Sequence, residues 1–225
     1  AVHRGQSALV KELLQKRGAR KLKKTQLQKF MQHAIEYGYT SIVKLLLDQR
    51  AELSWPSDLP PLHRAAENGH ASVTQLLLSR GADVRLKDAE DKEPLHHAAF
   101  NDAGHVAKLL LDHGASLTAF DERKLQPFAS AADGGYPELM EMLLKRHAPK
   151  SARGYETAAV HAASKGHLTV LKKLLEWRAD LSRADSSGKR LVDHAEFYQH
   201  KSVASFLRSI ADTTKPRVGK GAESR

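Results

Sequence analysis

The chain has 225 residues, of which 41% are apolar and 28% charged, with a formal net charge of +10 at pH 7 and no cysteine. That length can bury the core of one large or two small domains. The missing cysteine excludes disulfides, thiolate zinc sites, iron–sulfur clusters and cysteine nucleophiles. No stretch approaches the roughly 18 consecutive apolar residues that span a bilayer. The opening AVHRGQSALVKELLQ has no secretory signal pattern, so the expectation is an intracellular protein of cytoplasm or nucleus.

The excess charge is local. Residues 16–29, KRGARKLKKTQLQK, hold seven Lys/Arg and no acid, and the last eleven residues, KPRVGKGAESR, add a net +3. Subtracting both from +10 leaves a neutral remainder, so a near-neutral body carries one basic stripe and a basic tail.

In chain order, residues 5–19 (GQSALVKELLQKRGA) suggest one helix and its stop. The stripe follows, and then a unit of about 33 residues recurs. It reads FMQHAIEYGYTSIVKLLLDQRA from Phe30, PLHRAAENGHASVTQLLLSRGA from Pro61 and PLHHAAFNDAGHVAKLLLDHGA from Pro94. It continues as PFASAADGGYPELMEMLLKRHA from Pro127, AAVHAASKGHLTVLKKLLEWRA from Ala158 and LVDHAEFYQHKSVASFLRSI from Leu191. Each unit predicts two helices. Proline suits the first helical position, where its missing N–H costs nothing. The paired alanines Ala65/Ala66 and Ala98/Ala99 make a face small enough for close helix approach. Gly69 supplies the left-handed stop. Val73, Leu76, Leu77 and Leu78 form the apolar stripe of the second helix, and Gly81 ends it. One such pair cannot bury its own apolar face, so the copies must stack.

These residues, in the order TPLHxAAxxGHxxxVxxLLLxxGA, resemble the ankyrin repeat, and the likeness runs over about residues 1–210. It implies an all-α ankyrin-repeat solenoid of helix-turn-helix units joined by β-hairpin or loop connectors. The expected array is a partial first copy 1–19, then copies near 24–52, 53–84, 88–117, 121–150, 151–181 and 185–210, with 211–225 a basic, flexible tail. Pro60, Glu93 and Gln126 stand where the family favours a capping threonine, kept only as Thr157. Asp102 and Gln199 replace the glycine between helices. Because residue 1 falls in mid-helix of a copy, the expectation is that a longer array or protein precedes it.

The histidines divide into two groups. The resemblance gives His63, His96, His70 and His167 structural duties, the first two tying neighbouring connectors by hydrogen bonds. His33, His97, His161 and His194 all precede the first small residue of the pair and suggest a partly buried, pH-sensitive row. Zinc ligands must sit about 2.0–2.1 Å from the metal, whereas packed helices lie about 8–10 Å apart. No metal, cofactor or catalytic residue is therefore expected, and GxxxxGK[ST], GxGxxG, HExxH and GxSxG are all absent from the sequence.

Function in such a stack lives on its concave face. Carried over by position, the partner-binding candidates at the ends of the first helices are Tyr37, Glu67, Asn68, Phe100, Asn101, Asp133, Lys165, Phe197 and Tyr198. From the connector tips come Arg123, Arg153 and Tyr155, beside tip positions Thr25, Gln26 and Gly154. The expected function is non-catalytic protein–protein interaction with a protein or peptide, an acidic one being suited to the stripe Arg17, Arg20, Lys21, Lys23 and Lys24. A monomer is expected. Nucleic acid or anionic lipid at the stripe is the alternative, disfavoured for nucleic acid by the absence of stacking aromatics. An intramolecular regulatory spacer is the third reading.

Overall fold

The computed structural model describes residues 24–48, 51, 53, 59–146 and 152–214, so the partial copy 1–19, the stripe residues Arg17, Arg20, Lys21 and Lys23, and the tail beyond 214 lie outside the described residues. Six helix pairs follow one another. They are α1 (Lys24–Glu36) with α2 (Thr40–Asp48), α3 (Pro61–Glu67) with α4 (Ala71–Ser79), and α5 (Pro94–Phe100) with α6 (Gly104–Asp112). Then come α7 (Pro127–Gly134) with α8 (Pro137–Lys145), α9 (Ala152–Lys165) with α10 (Leu168–Glu176), and α11 (Leu191–Phe197) with α12 (Lys201–Thr214). First helices stack on first helices and second on second, which makes a two-layered row.

The turn inside each pair is the same hydrogen-bonded device. The N–H groups of Tyr39, His70, Ala103, Tyr136, His167 and His200 donate to Ala34, Ala65, Ala98, Ala131, Ala162 and Ala195, at 2.7–3.0 Å. That six-to-one closure needs a left-handed residue just before the donor. Gly69 supplies it with φ 69, and Asp102 and Gln199 adopt it without being glycine, at φ 56 and 63. Aspartate tolerates this region; glutamine is strained in it.

The core is the contact zone between copies. The alanine pairs of α3, α5 and α7 are fully covered, as are Val43, Leu46, Val73, Leu77, Leu110, Leu143 and Leu174. The stripe of α4 is narrower than the sequence suggests: Val73 and Leu77 are inaccessible while Leu76 and Leu78 are only partly covered. Gly134, inside α7, is fixed by close approach, since a Cβ there would lie 2.5 Å from the Phe100 carbonyl oxygen in the neighbouring copy.

Of the hairpin or loop connectors expected, the described residues show loops. Among the described residues there is no strand, and Ala184 and Arg190 form only an isolated bridge. The connectors are instead short fingers closed by an aspartate six places before the helix. Asp88 Oδ1 accepts the N–H groups of Glu90 and Lys92, each at 2.9 Å. Asp121 Oδ1 accepts that of Leu125 at 2.7 Å, and Asp185 Oδ1 accepts those of Ser187 and Lys189 at 2.8 and 3.0 Å.

Three copies lack this aspartate: Trp55 holds its place before Pro61, outside the described residues, and the two others lack the finger. Lys24 and Ala152 occupy the corresponding positions, and each opens a long helix, of 13 residues in α1 and 14 in α9. Neither Phe30 nor Ala158 is a proline, so nothing interrupts the helix where α3, α5 and α7 begin. Thr25, Gln26, Arg153 and Gly154 are accordingly helical and are not connector tips. Thr157 lies inside α9 and cannot cap its start.

Candidate functional site

Two histidine ladders hold the row together. In the first, the Nε2–H of His63 donates to Lys92 O at 3.0 Å, and that of His96 to Ala119 O and Leu125 O, each at 3.2 Å. A carbonyl can only accept, so the Nε2–H tautomer is set by the partner. His96 Nδ1 in turn accepts the Glu93 N–H at 3.1 Å, which a protonated ring could not do. Burial pushes the His63 pKa down to about 4 and that of His96 down as well.

The second ladder runs the other way. His70, His167 and His200 donate from Nε2 to Glu36 O, Asp133 O and Ser164 O of the preceding copy, at 2.9, 3.0 and 3.0 Å. The acceptors belong to the last residues of first helices, whose carbonyls have no partner within the helix. Each ring thus caps its neighbour.

The row expected at His33, His97, His161 and His194 is paired with carboxylates. His97 Nε2 meets Asp88 Oδ2 and His194 Nε2 meets Asp185 Oδ2, both at 2.7 Å, within their own copies. His161 has Ala152 where that aspartate would be and turns to the previous copy, placing Nδ1 3.1 Å from Asp133 Oδ1. Arg123 Nη1 donates to Asp133 Oδ2 at 3.1 Å, and its Nη2 lies 2.8 Å from His161 Nδ1. His33 and Glu36 are 3.9 Å apart and exposed. Among the described residues no three His, Cys, Asp or Glu side chains gather as a metal site.

Asp133 therefore corrects an expectation. It is 3% exposed and is not a surface contact for a partner. Its burial raises its pKa, but the His161 hydrogen bond and charge and the Arg123 guanidinium outweigh that and hold it at about 2. Tyr155 is a second correction: its ring packs edge-on against Phe128 with centroids 6.0 Å apart, and its hydroxyl is buried. Arg153 sits in the first turn of α9 and Lys24 opens α1.

The remaining candidates fall at the ends of the first helices, on the surface. Tyr37 is 52% exposed, Phe100 42%, Phe197 78% and Tyr198 54%. Phe197 and Tyr198 lean edge to face, centroids 4.9 Å apart. Glu67 and Lys165 are exposed; Asn68 and Asn101 are exposed too, but their amides donate to Arg64 O and His97 O at 2.8 and 3.0 Å and so finish their own helices.

Phe120, 51% exposed at the base of the 121–125 finger, was missed in the sequence. Its register lies in a connector with no apolar period to flag it. It borders a cleft of about 580 Å³ that also touches Arg123, Lys124, Gln126, Glu156 and Ser186. A smaller cleft, of about 320 Å³, lies between Leu181, Leu191, Leu207 and Ile210 at the far end of the row.

Among the described residues no helix is long and apolar enough to cross a membrane. No curated protein matches the chain in a sequence comparison. The family model described as ankyrin repeats (3 copies) matches residues 1–88 and 51–121, together 1–121 of the 225 residues. Ankyrin repeats are generally protein–protein interaction modules and are typically non-catalytic. With more than half of its length matched and the same helix pair recurring to Thr214, the chain belongs to the ankyrin-repeat family.

Proposed function

We propose that the chain is a non-catalytic interaction module that holds a segment of a partner protein along the face formed by the ends of the first helices. The observation that carries this reading is the exposure of Tyr37, Phe100, Phe197 and Tyr198 at two equivalent sites just after the paired small residues. Leu62, Leu95 and Phe128, nearer the starts of the first helices, are buried, while Phe30 of α1 is 37% exposed. Aromatic side chains with one free face are the usual anchors of protein interfaces.

The histidine ladders and carboxylate pairs of the same helices serve the fold, while the aromatic ends at Phe100, Phe197 and Tyr198 are exposed beside them. The test is affinity capture of the partner followed by calorimetry with the purified pair. Phe100→Ala with Phe197→Ala should weaken binding by more than about 1 kcal/mol while the unfolding midpoint stays put. Unchanged affinity in that double variant would remove the reading.

A further inference from the structure

The row of fingers has a gap. Residues 88–92, 121–125 and 185–189 each form an aspartate-closed finger, whereas residues 152–156, in the same register, are the first turns of α9. The cleft of about 580 Å³ lies at this break, between the fingers of the copies on either side, with Phe120 and Lys124 from one and Ser186 from the other.

Three features give the gap chemical character. Phe120 offers half of its surface as an apolar wall. Gln126 is 4% exposed and lines the cleft; its Nε2 donates to Thr118 O at 3.4 Å, but its Oε1 accepts nothing. An unfilled buried acceptor destabilises the chain and favours an incoming N–H donor. The two bounding fingers also carry Lys124 and Lys189, both exposed and neither in an ion pair among the described residues. Arg123 and Arg190 are already turned to Asp133 and Asp193. Among the residues lining the cleft, Arg123 and Lys124 are basic and Glu156 is the acid, and Lys189 belongs to the finger that contributes Ser186.

We infer that this gap is a docking slot for an extended acidic peptide segment carrying one aromatic or branched apolar side chain, which takes the place of the absent finger. The apolar side chain packs on Phe120, a backbone N–H donates to Gln126 Oε1, and flanking carboxylates meet Lys124 and Lys189. An extended strand suits the slot because its backbone supplies N–H donors whatever its sequence, while alternate side chains read the walls. The inference rests on the interaction-module reading and adds to it the place and the chemistry of the partner.

The probe is a fluorescein-labelled peptide of about ten residues, roughly 33 Å when extended, with one central phenylalanine flanked by aspartates. Anisotropy against the full chain should give saturable binding. Binding should weaken by about tenfold when the peptide phenylalanine is replaced by serine, and equally with Phe120→Ala. Lys124→Glu with Lys189→Glu should abolish it, and rising salt should weaken it in the unaltered protein. Circular dichroism melts of these surface variants, expected to match the unaltered chain, check that they fold. Absence of binding, or indifference to both Phe120→Ala and the double lysine reversal, overturns the slot. Loss caused by Phe100→Ala in place of Phe120→Ala also overturns it, while leaving the interaction-module reading intact.

Discussion

His161 Nδ1 stands 3.1 Å from Asp133 Oδ1, a histidine of one copy reaching a carboxylate of the copy before it. The substitution behind this is Ala152, which takes from His161 the aspartate that His97 and His194 have. Asp133→Ala should destabilise the chain by about 3 kcal/mol, because it leaves Arg123 and His161 without their shared acceptor. Urea denaturation at neutral pH measures it; a loss below roughly 0.5 kcal/mol would mean that the cluster is only a surface pairing.

The same carboxylate makes an acid-dependent contribution. Its pKa falls from 3.8 unfolded to about 2 folded, so its stabilisation is whole above pH 4 and is lost as pH drops through 2. That is about 2 kcal/mol. Proton titration of the Asp133 carboxyl by NMR checks the value.

A larger acid effect comes from His63, in a milder range. Its folded pKa of about 4 lies below the ordinary 6.5, so the unfolded chain binds the proton first. Stability held above pH 6.5 drains as pH falls towards 4, amounting to about 2 kcal/mol by pH 5 and roughly 3 in full. His96 acts in the same direction. The urea midpoint should therefore drop between pH 7 and pH 5, and His63→Asn should flatten that slope while lowering stability at pH 7.

Packing gives a paired expectation. Leu77 is wholly inaccessible, and Leu77→Ala should cost about 2–5 kcal/mol through the cavity left between copies. Phe100→Ala should shift stability by less than about 0.5 kcal/mol, as expected of an exposed side chain. Differential scanning calorimetry of both variants decides whether the repeat register is right, since a reversed order would mean it is not.

Backbone strain offers a stabilising change. Gln199 holds φ 63 where four of the other copies have glycine and one has Asp102. Gln199→Gly should raise stability by about 0.5–1 kcal/mol, the relief of a left-handed side chain less the added freedom of the unfolded chain. Gly134→Ala should do the reverse and lower the thermal midpoint, because the added carbon meets the fixed Phe100 carbonyl.

Much of the array was legible because its duties recur. Pro61, Pro94 and Pro127 open helices where the repeat places them, and His63 and His96 reach the neighbouring connectors. Asp102 and Gln199 take up the left-handed turn despite their side chains, since six-to-one closure demands the conformation whatever residue supplies it. Asp133 and Tyr155 were illegible for a common reason. Their exposure depends on what the copy 151–181 lacks: an aspartate at Ala152, which turns His161 onto Asp133 of the copy before, and a proline at Ala158, which leaves Tyr155 inside a helix. Register alone treats every copy as equivalent. The finger rule, an aspartate six places before the helix, was present in the sequence as Asp88, Asp121 and Asp185, with Lys24, Trp55 and Ala152 as its exceptions.

The histidine clasps at His70, His167 and His200 each cross one boundary and no more. Opening one seam therefore releases only the copies on either side of it, and loss of order travels inward from the extremities like slats lifting from a blind. Amide exchange should follow that geography, with the slowest sites in α5 and α7, which are flanked on both sides, and progressively faster ones outward.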